Sequence, residues 1–188
     1  VPRFQTSVQL GALLSTLYSH QAMIRSSAEP LSEIARHAHP VRLIVFDRSG
    51  KQWATGDTAY QVNVGGLSGR MSYDLGDTFE RRRAINRVRS LCFSVSGDRL
   101  FAASGSYLRC LDLTNGTQMW AFEAKPTYGF VLSSPMLVAE VGDRSVVATF
   151  DSGVLCHVSP TGELLGTYGH NAMPKMGEVL SDGRTLVG

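Results

Sequence analysis

VRSLCFSVSGDRLFAASGSYLRCLDLTNGTQMWAF, residues 88–122, reads as one complete unit of antiparallel sheet. Val88 to Phe93 is a short apolar run, Ser96-Gly97-Asp98 a turn, and Arg99 to Ser104 a second run. Gly105-Ser106 turns the chain into Tyr107 to Leu113, and Thr114-Asn115-Gly116 returns it through Thr117 to Phe122. Runs of β-branched, aromatic and small residues between such turns predict four strands joined by three tight connections. Asn115-Gly116 is the strongest hairpin signal, because both central residues of a type I′ turn need positive φ. Ala102, Ala103 and Ser104 are small within a nearly continuous apolar run, as expected of an inner strand covered on both faces.

The plan recurs along the chain. Turn markers stand at Ser49-Gly50, Ser96-Gly97, Val141-Gly142-Asp143 and Asp182-Gly183, and their glycines are 47 (50 to 97), 45 (97 to 142) and 41 (142 to 183) residues apart. A third copy runs through Leu132 to Val138, Ser145 to Phe150, Gly153 to Val158 and Glu163 to Tyr168. Its turns are Asp151-Ser152-Gly153 and Pro160-Thr161-Gly162. Gly162 lies 46 residues beyond Gly116 (116 to 162), so outer hairpins repeat in step with inner ones. This period, in units of four short strands, predicts an all-β fold: a partial β-propeller of about three and a half four-stranded blades over residues 39–188.

Residues 1–38 lie outside the repeat. Leu10, Leu13, Leu14, Leu17 and Ile24 fall at helical spacing, Thr6 and Gln9 have the form of a capping box, and Pro30 supplies a stop. An amphipathic N-terminal helix is expected, followed by a short helical turn from Leu31 to Arg36. Its leucine stripe must be covered by the propeller's own flank or by another chain. Gln9, Ser15, His20, Gln21 and Arg25 interrupt the apolar run, which argues against a signal peptide.

Composition bounds the function. With 43% hydrophobic and 18% charged residues among 188, the chain is of ordinary globular type, and no run reaches the ~20 apolar residues that cross a bilayer. A net charge of +2 is too mild to point to nucleic acid. Cys92, Cys110 and Cys156 are odd in number and sit in strand-like runs. They read as buried thiols in a reducing, cytoplasmic setting, with Cys110 and Cys156, 46 apart (110 to 156), in one slot of neighbouring blades.

The run Phe93 to Leu100, with Leu111-Asp112-Leu113 and the outer Trp120, resembles a WD-repeat blade, and Gly169-His170 resembles the Gly-His pair that heralds such a repeat. His39-Pro40-Val41 fits a less complete herald. Asp112 to Trp120 and Ser133 to Met136 also resemble quinoprotein-type repeats of the same superfamily. The resemblance covers residues 39–188 and implies that a buried network, in which a turn Asp holds the herald His, survives in part, with His39 and Asp57 the best pair. Asp151 is a turn Asp with no herald before its blade. Leu111 stands where the family has Trp, and His157-Val158 where the Trp-Asp pair belongs.

A search for chemistry returns little. His37-Ala38-His39 has no further metal-ligand type at ligand spacing. Gly65-Gly66-Leu67-Ser68-Gly69 lacks the Lys-Ser/Thr ending of a phosphate loop and reads as an irregular outer hairpin. Arg81, Arg82 and Arg83, with Arg87 and Arg89 close behind, form the one basic cluster, either a solvated loop or a docking patch for an acidic partner or phosphate. No cofactor is expected. The fourth repeat stops within its second strand, so further chain or another polypeptide is expected to supply the missing blades. The expected role is a non-catalytic protein-interaction scaffold or assembly subunit. The alternative is a quinoprotein-like enzyme or ligand-binding protein that uses the central channel.

Overall fold

The computed structural model describes residues 21–24, 32–66, 69–76, 87–123, 135–169, 177–179 and 185–187. Among them there is no helix. The fold is all-β, built on three four-stranded antiparallel sheets in which each strand pairs with the next. The first sheet comprises β3 (Val41–Phe46), β4 (Gln52–Asp57), β5 (Gln61–Gly66) and β6 (Gly69–Asp74). The second comprises β7 (Val88–Phe93), β8 (Arg99–Ser104), β9 (Tyr107–Asp112) and β10 (Thr117–Glu123). The third comprises β11 (Pro135–Glu140), β12 (Val146–Phe150), β13 (Val154–Val158) and β14 (Leu164–Gly169). Two shorter pairs flank them, β1 (Gln21–Ile24) with β2 (Ser32–Arg36) and β15 (Gly177–Val179) with β16 (Thr185–Val187).

The sheets stack face to face with the second in the middle. Alternation along β8 sends Leu100 and Ala102 towards Ala54, Val62 and Val64 of the first sheet, and Phe101 towards Val146, Ala148 and Phe150 of the third. Leu100, Phe101, Ala102 and Ala103 are all fully buried, which explains the absence of polar residues from this strand's core. At ~25 cal/mol per Å² of apolar area, these two shared interfaces are the main stabilising contribution to the stack.

Outer strands lock one sheet to the next. Trp120, opposite Cys110, lies over Gly162, donates its indole Nε1–H to the Pro160 carbonyl at 3.0 Å, and stacks obliquely on Phe101. A Cβ at Gly162 would come within 2.8 Å of the indole, and its φ of +92° suits glycine besides. Met71, opposite Val64, occupies the same slot one sheet earlier and sits beside Gly116. In the third sheet the slot is Gly166, opposite His157, and the neighbouring Tyr168 is 61% exposed.

Several expectations change. The segment expected to form a helical turn, Leu31 to Arg36, contains β2 instead, and Ile24 ends β1. The β1–β2 ladder satisfies backbone groups that an isolated turn leaves open, and it seats Ala35 against Val41. Leu10, Leu13, Leu14 and Leu17 of the expected helix lie outside the described residues, as do Arg81, Arg82, Arg83 and His170. Cys110 and Cys156 do not share a slot. Cys110 pairs with Phe101 whereas Cys156 pairs with Ala148, and His157 takes the equivalent of Cys110. The turn before β12 is a residue shorter than its counterpart and the turn before β13 a residue longer, so the two thiols face each other across one core.

Candidate functional site

The first turn of each sheet lies at a common end, and the three are cross-linked into a row. In the first turn Asp47 accepts bonds from Gln52 N at 2.8 Å and from Ser49 Oγ at 2.5 Å. In the second, Ser94 Oγ and Ser96 Oγ both donate to Asp98, and Arg99 N donates to Ser94 Oγ at 3.0 Å. In the third, Asp143 accepts from the Ser145 amide at 3.0 Å and from its hydroxyl. These are the local side-chain bonds that make Asp and Ser turn formers.

Side chains then tie turn to turn. Gln52 Nε2 donates to the Gly97 carbonyl at 3.0 Å, Glu140 Oε2 accepts Val95 N at 2.5 Å, and Arg144 Nη2 reaches Asp98 Oδ2 at 2.6 Å and Ser96 Oγ at 3.1 Å. Arg144 stands where Gly50 and Gly97 stand in the earlier turns, 47 residues on each time (50 to 97 to 144), and has φ of 66°. A left-handed residue other than glycine costs about 1–2 kcal/mol. The ion pair offsets part of that strain. Partial burial of Asp98 works against its ionisation, but bonds from Ser96, Arg144 and Ser94 outweigh it and hold the carboxyl well below the usual range. The same partnership raises the Arg144 guanidinium.

Between the first and second turns opens a cleft of about 410 Å³, lined by Asp47, Arg48, Ser49, Lys51, Gln52, Val95 and Ser96. Asp47 is spent on its own turn. Arg48 and Lys51 are exposed and make no side-chain bond among the described residues, and Val95 is 63% exposed beside them. Two cations with no side-chain bond among the described residues, around an apolar step, suit an acidic, partly apolar ligand.

The third turn also brings Asp143, Ser145 and His157 together, with Ser145 Oγ 2.6 Å from His157 Nε2. It is not a hydrolytic triad. The carboxylate bonds the serine rather than the far nitrogen of the histidine, so among the described residues no acid orients the ring as a base, and Ser145 is fully buried. Its effect is to lower the Asp143 pKa through the Ser145 bonds and to pin β13 to the turn.

At the other end of the first sheet the expected His–Asp pair is present with a different histidine. Asp57 Oδ2 is 3.3 Å from His37 Nδ1, and His37 Nε2 lies 2.7 Å from Thr55 Oγ1 and 3.1 Å from Asn63 Nδ2. His39 is exposed. Asp57 also caps its turn through Ala59 N at 2.7 Å and Gln61 N at 2.9 Å. The second sheet has Ser104 in the place of Asp57 and Arg109 in the place of Asn63, bonded to each other at 2.6 Å, and the third has Phe150 and Cys156 there. These two positions thus pass from a hydrogen-bonded polar network to buried apolar residues, in keeping with the near-neutral exchange of buried polar groups for well-packed apolar ones.

Asp112 Oδ1 accepts Thr114 N at 2.7 Å and shapes the outer hairpin, Trp120 locks two sheets, and Asp151 lies in the turn before β13. Cys110 and Cys156 have their thiols pushed up to about 12 by burial, and burial raises Cys92 as well. Among the described residues no three His, Cys, Asp or Glu side chains group as metal ligands, and no helix is long and apolar enough to cross a membrane. Comparison of the sequence with protein-family models and with curated proteins returns no match.

Proposed function

We propose that the chain is a run of blades from a β-propeller of the WD-repeat kind, working as a non-catalytic platform for another protein. The radial arrangement is supported by the first strands. β3 lies against β7, β7 against β11 and β11 against β15, whereas among the described residues the fourth strands β6 and β10 meet the next sheet chiefly at its outer hairpin. The His37–Thr55–Asp57 network supports the WD-repeat resemblance, with His37 as the herald. On this reading β15 and β16 belong to a fourth blade, and β15 lies against β11 of the third sheet, whose Leu165 and Tyr168 are more than half exposed. Buried thiols raised by their surroundings suit a reducing compartment such as the cytoplasm.

The observation that carries the platform reading is the cleft between tied turns. Its walls are fixed by Asp47 and Gln52, and the side chains it presents with no hydrogen bond among the described residues are those of Arg48, Lys51 and Val95. Rigid loops on a sheet scaffold with a few free cations favour recognition of an acidic segment. The test is binding of arrayed peptides of graded acidity, measured with the parent and with the surface charge reversals Arg48→Glu and Lys51→Glu. Selective retention of acidic peptides that carry an apolar residue, weakened about tenfold or more by either reversal, is expected. Binding indifferent to peptide charge, or unchanged in both variants, would overturn the reading.

A further inference from the structure

The first strand of each four-stranded sheet is bulged at the same place. Register slips between Val41 and Leu43 in β3, between Val88 and Ser90 in β7, and between Pro135 and Leu137 in β11. The extra residues are Arg42, Arg89 and Met136, spaced 47 apart (42 to 89 to 136). A bulge takes its residue out of the in-and-out alternation and re-aims the side chain, and such bulges gather beside functional sites.

Close packing of the first two sheets brings these residues together. β3 lies against β7, and Val88 presses on Gly56, where a Cβ would lie 2.8 Å from its methyl carbon, so the equivalent bulges that carry Arg42 and Arg89 belong to adjacent strands, with Arg87 next to Val88. Arg89 Nη1 rests 2.8 Å from the Met136 sulfur, a poor acceptor, and Arg89 Nε is shut off from solvent with no hydrogen-bond partner. Burial, then the charges of Arg42 and Arg89, pulls the Arg87 pKa below its ordinary value. Neither Arg42 nor Arg87 bonds an acid among the described residues. Asp57, paired with Val41 beside Arg42, has its carboxylate committed to His37, Ala59 and Gln61.

We propose that Arg42, Arg87 and Arg89 form a binding site for a phosphoryl group, at the end of the first strands opposite the cleft of tied turns. Three guanidiniums with no acid of their own among the described residues call for a multiply charged oxyanion. The planar fork of arginine matches phosphate oxygens two at a time. Met136, in the third bulge, leaves that side of the group open to an apolar portion of the ligand.

Titration calorimetry in low chloride tests this with tripolyphosphate, a phosphoserine peptide and the same peptide unphosphorylated. Saturable binding of a phosphorylated probe is expected. The tripolyphosphate and phosphopeptide arms tell a free oligophosphate from a phosphorylated segment. Arg42→Ala, at an exposed position, and Arg89→Lys, which keeps the charge and loses the fork, should each weaken binding about tenfold or more. Arg48→Glu, at the other end, should leave it unchanged. Absence of saturable binding by either phosphorylated probe, equal binding of the unphosphorylated peptide, or full affinity in Arg42→Ala and Arg89→Lys would overturn the proposal.

Discussion

Trp120 hands its indole proton to the carbonyl of Pro160 in the next sheet while its ring fills the space that a side chain at Gly162 would need. This single residue couples an outer strand of one sheet to the outer hairpin of its neighbour. Gly162→Ala must therefore displace the indole and adopt an unfavourable φ. We expect a loss of about 2–3 kcal/mol in urea unfolding, with tryptophan emission already shifted to the red in the native variant.

Arg144 gives a cleaner comparison because strain and ion pairing pull in opposite directions at one position. Arg144→Ala loses the Asp98 partner and keeps the left-handed backbone, whereas Arg144→Gly loses the partner and relieves the strain. The glycine variant should be more stable than the alanine variant by about 1 kcal/mol in thermal or urea unfolding. Against the parent, the glycine variant should differ little, since exposed pairs contribute about 0–1 kcal/mol.

Acid should loosen the tied turns. Asp98, Asp143 and Asp47 all have lowered pKa values. Their contribution is therefore complete above the unfolded carboxyl value of about 4 and is lost as pH falls through the folded values. Asp98→Asn should be less stable than the parent at pH 7, and the gap should narrow steadily below about pH 4. Melting curves from pH 7 to pH 2 check this, and a gap that stays constant throughout would contradict it.

Asp57→Ala removes the acceptor of His37 and of two backbone amides from a buried site. A cost of about 3–5 kcal/mol is expected, because the remaining donors stay buried without a partner. His39→Ala, at an exposed position two residues from His37, should change unfolding by less than about 0.5 kcal/mol. Equal effects of the two changes would reverse the assignment of the buried histidine.

The thiols offer a probe of opening. Cys110 and Cys156 are fully buried and strongly raised, so iodoacetamide at pH 8 should spare them in the native protein and modify them in urea. Mass spectrometry after timed labelling would read this directly.

The strands and turns were legible because Gly97 and Gly116, with φ of 74° and 75°, meet a backbone requirement that few other residues meet. The third first-turn was misaligned for the same reason. Its left-handed residue is Arg144, which no propensity rule flags, and Gly142 two residues earlier drew the alignment instead. His37 and His39 stand two residues apart on one short segment, and only the structure, which buries His37 against Asp57 and Thr55 and leaves His39 exposed, tells them apart. β2 was mistaken for a helical turn because a five-residue segment shows neither period clearly. The bulged arginines went unrecognised as a set, although aligning β3 on β7 at the interval of 47 places Arg42 over Arg89. A bulge leaves no mark in composition, and only the paired register reveals it.

The shorter turn before β12 and the longer one before β13 together return the third sheet to phase with the second. Lengths at the two ends of a strand can therefore vary freely so long as they vary in opposite senses, and a ruler of fixed length laid along the chain falls out of step within a single unit. Kinship between such units survives in three dimensions after it has been blurred in one.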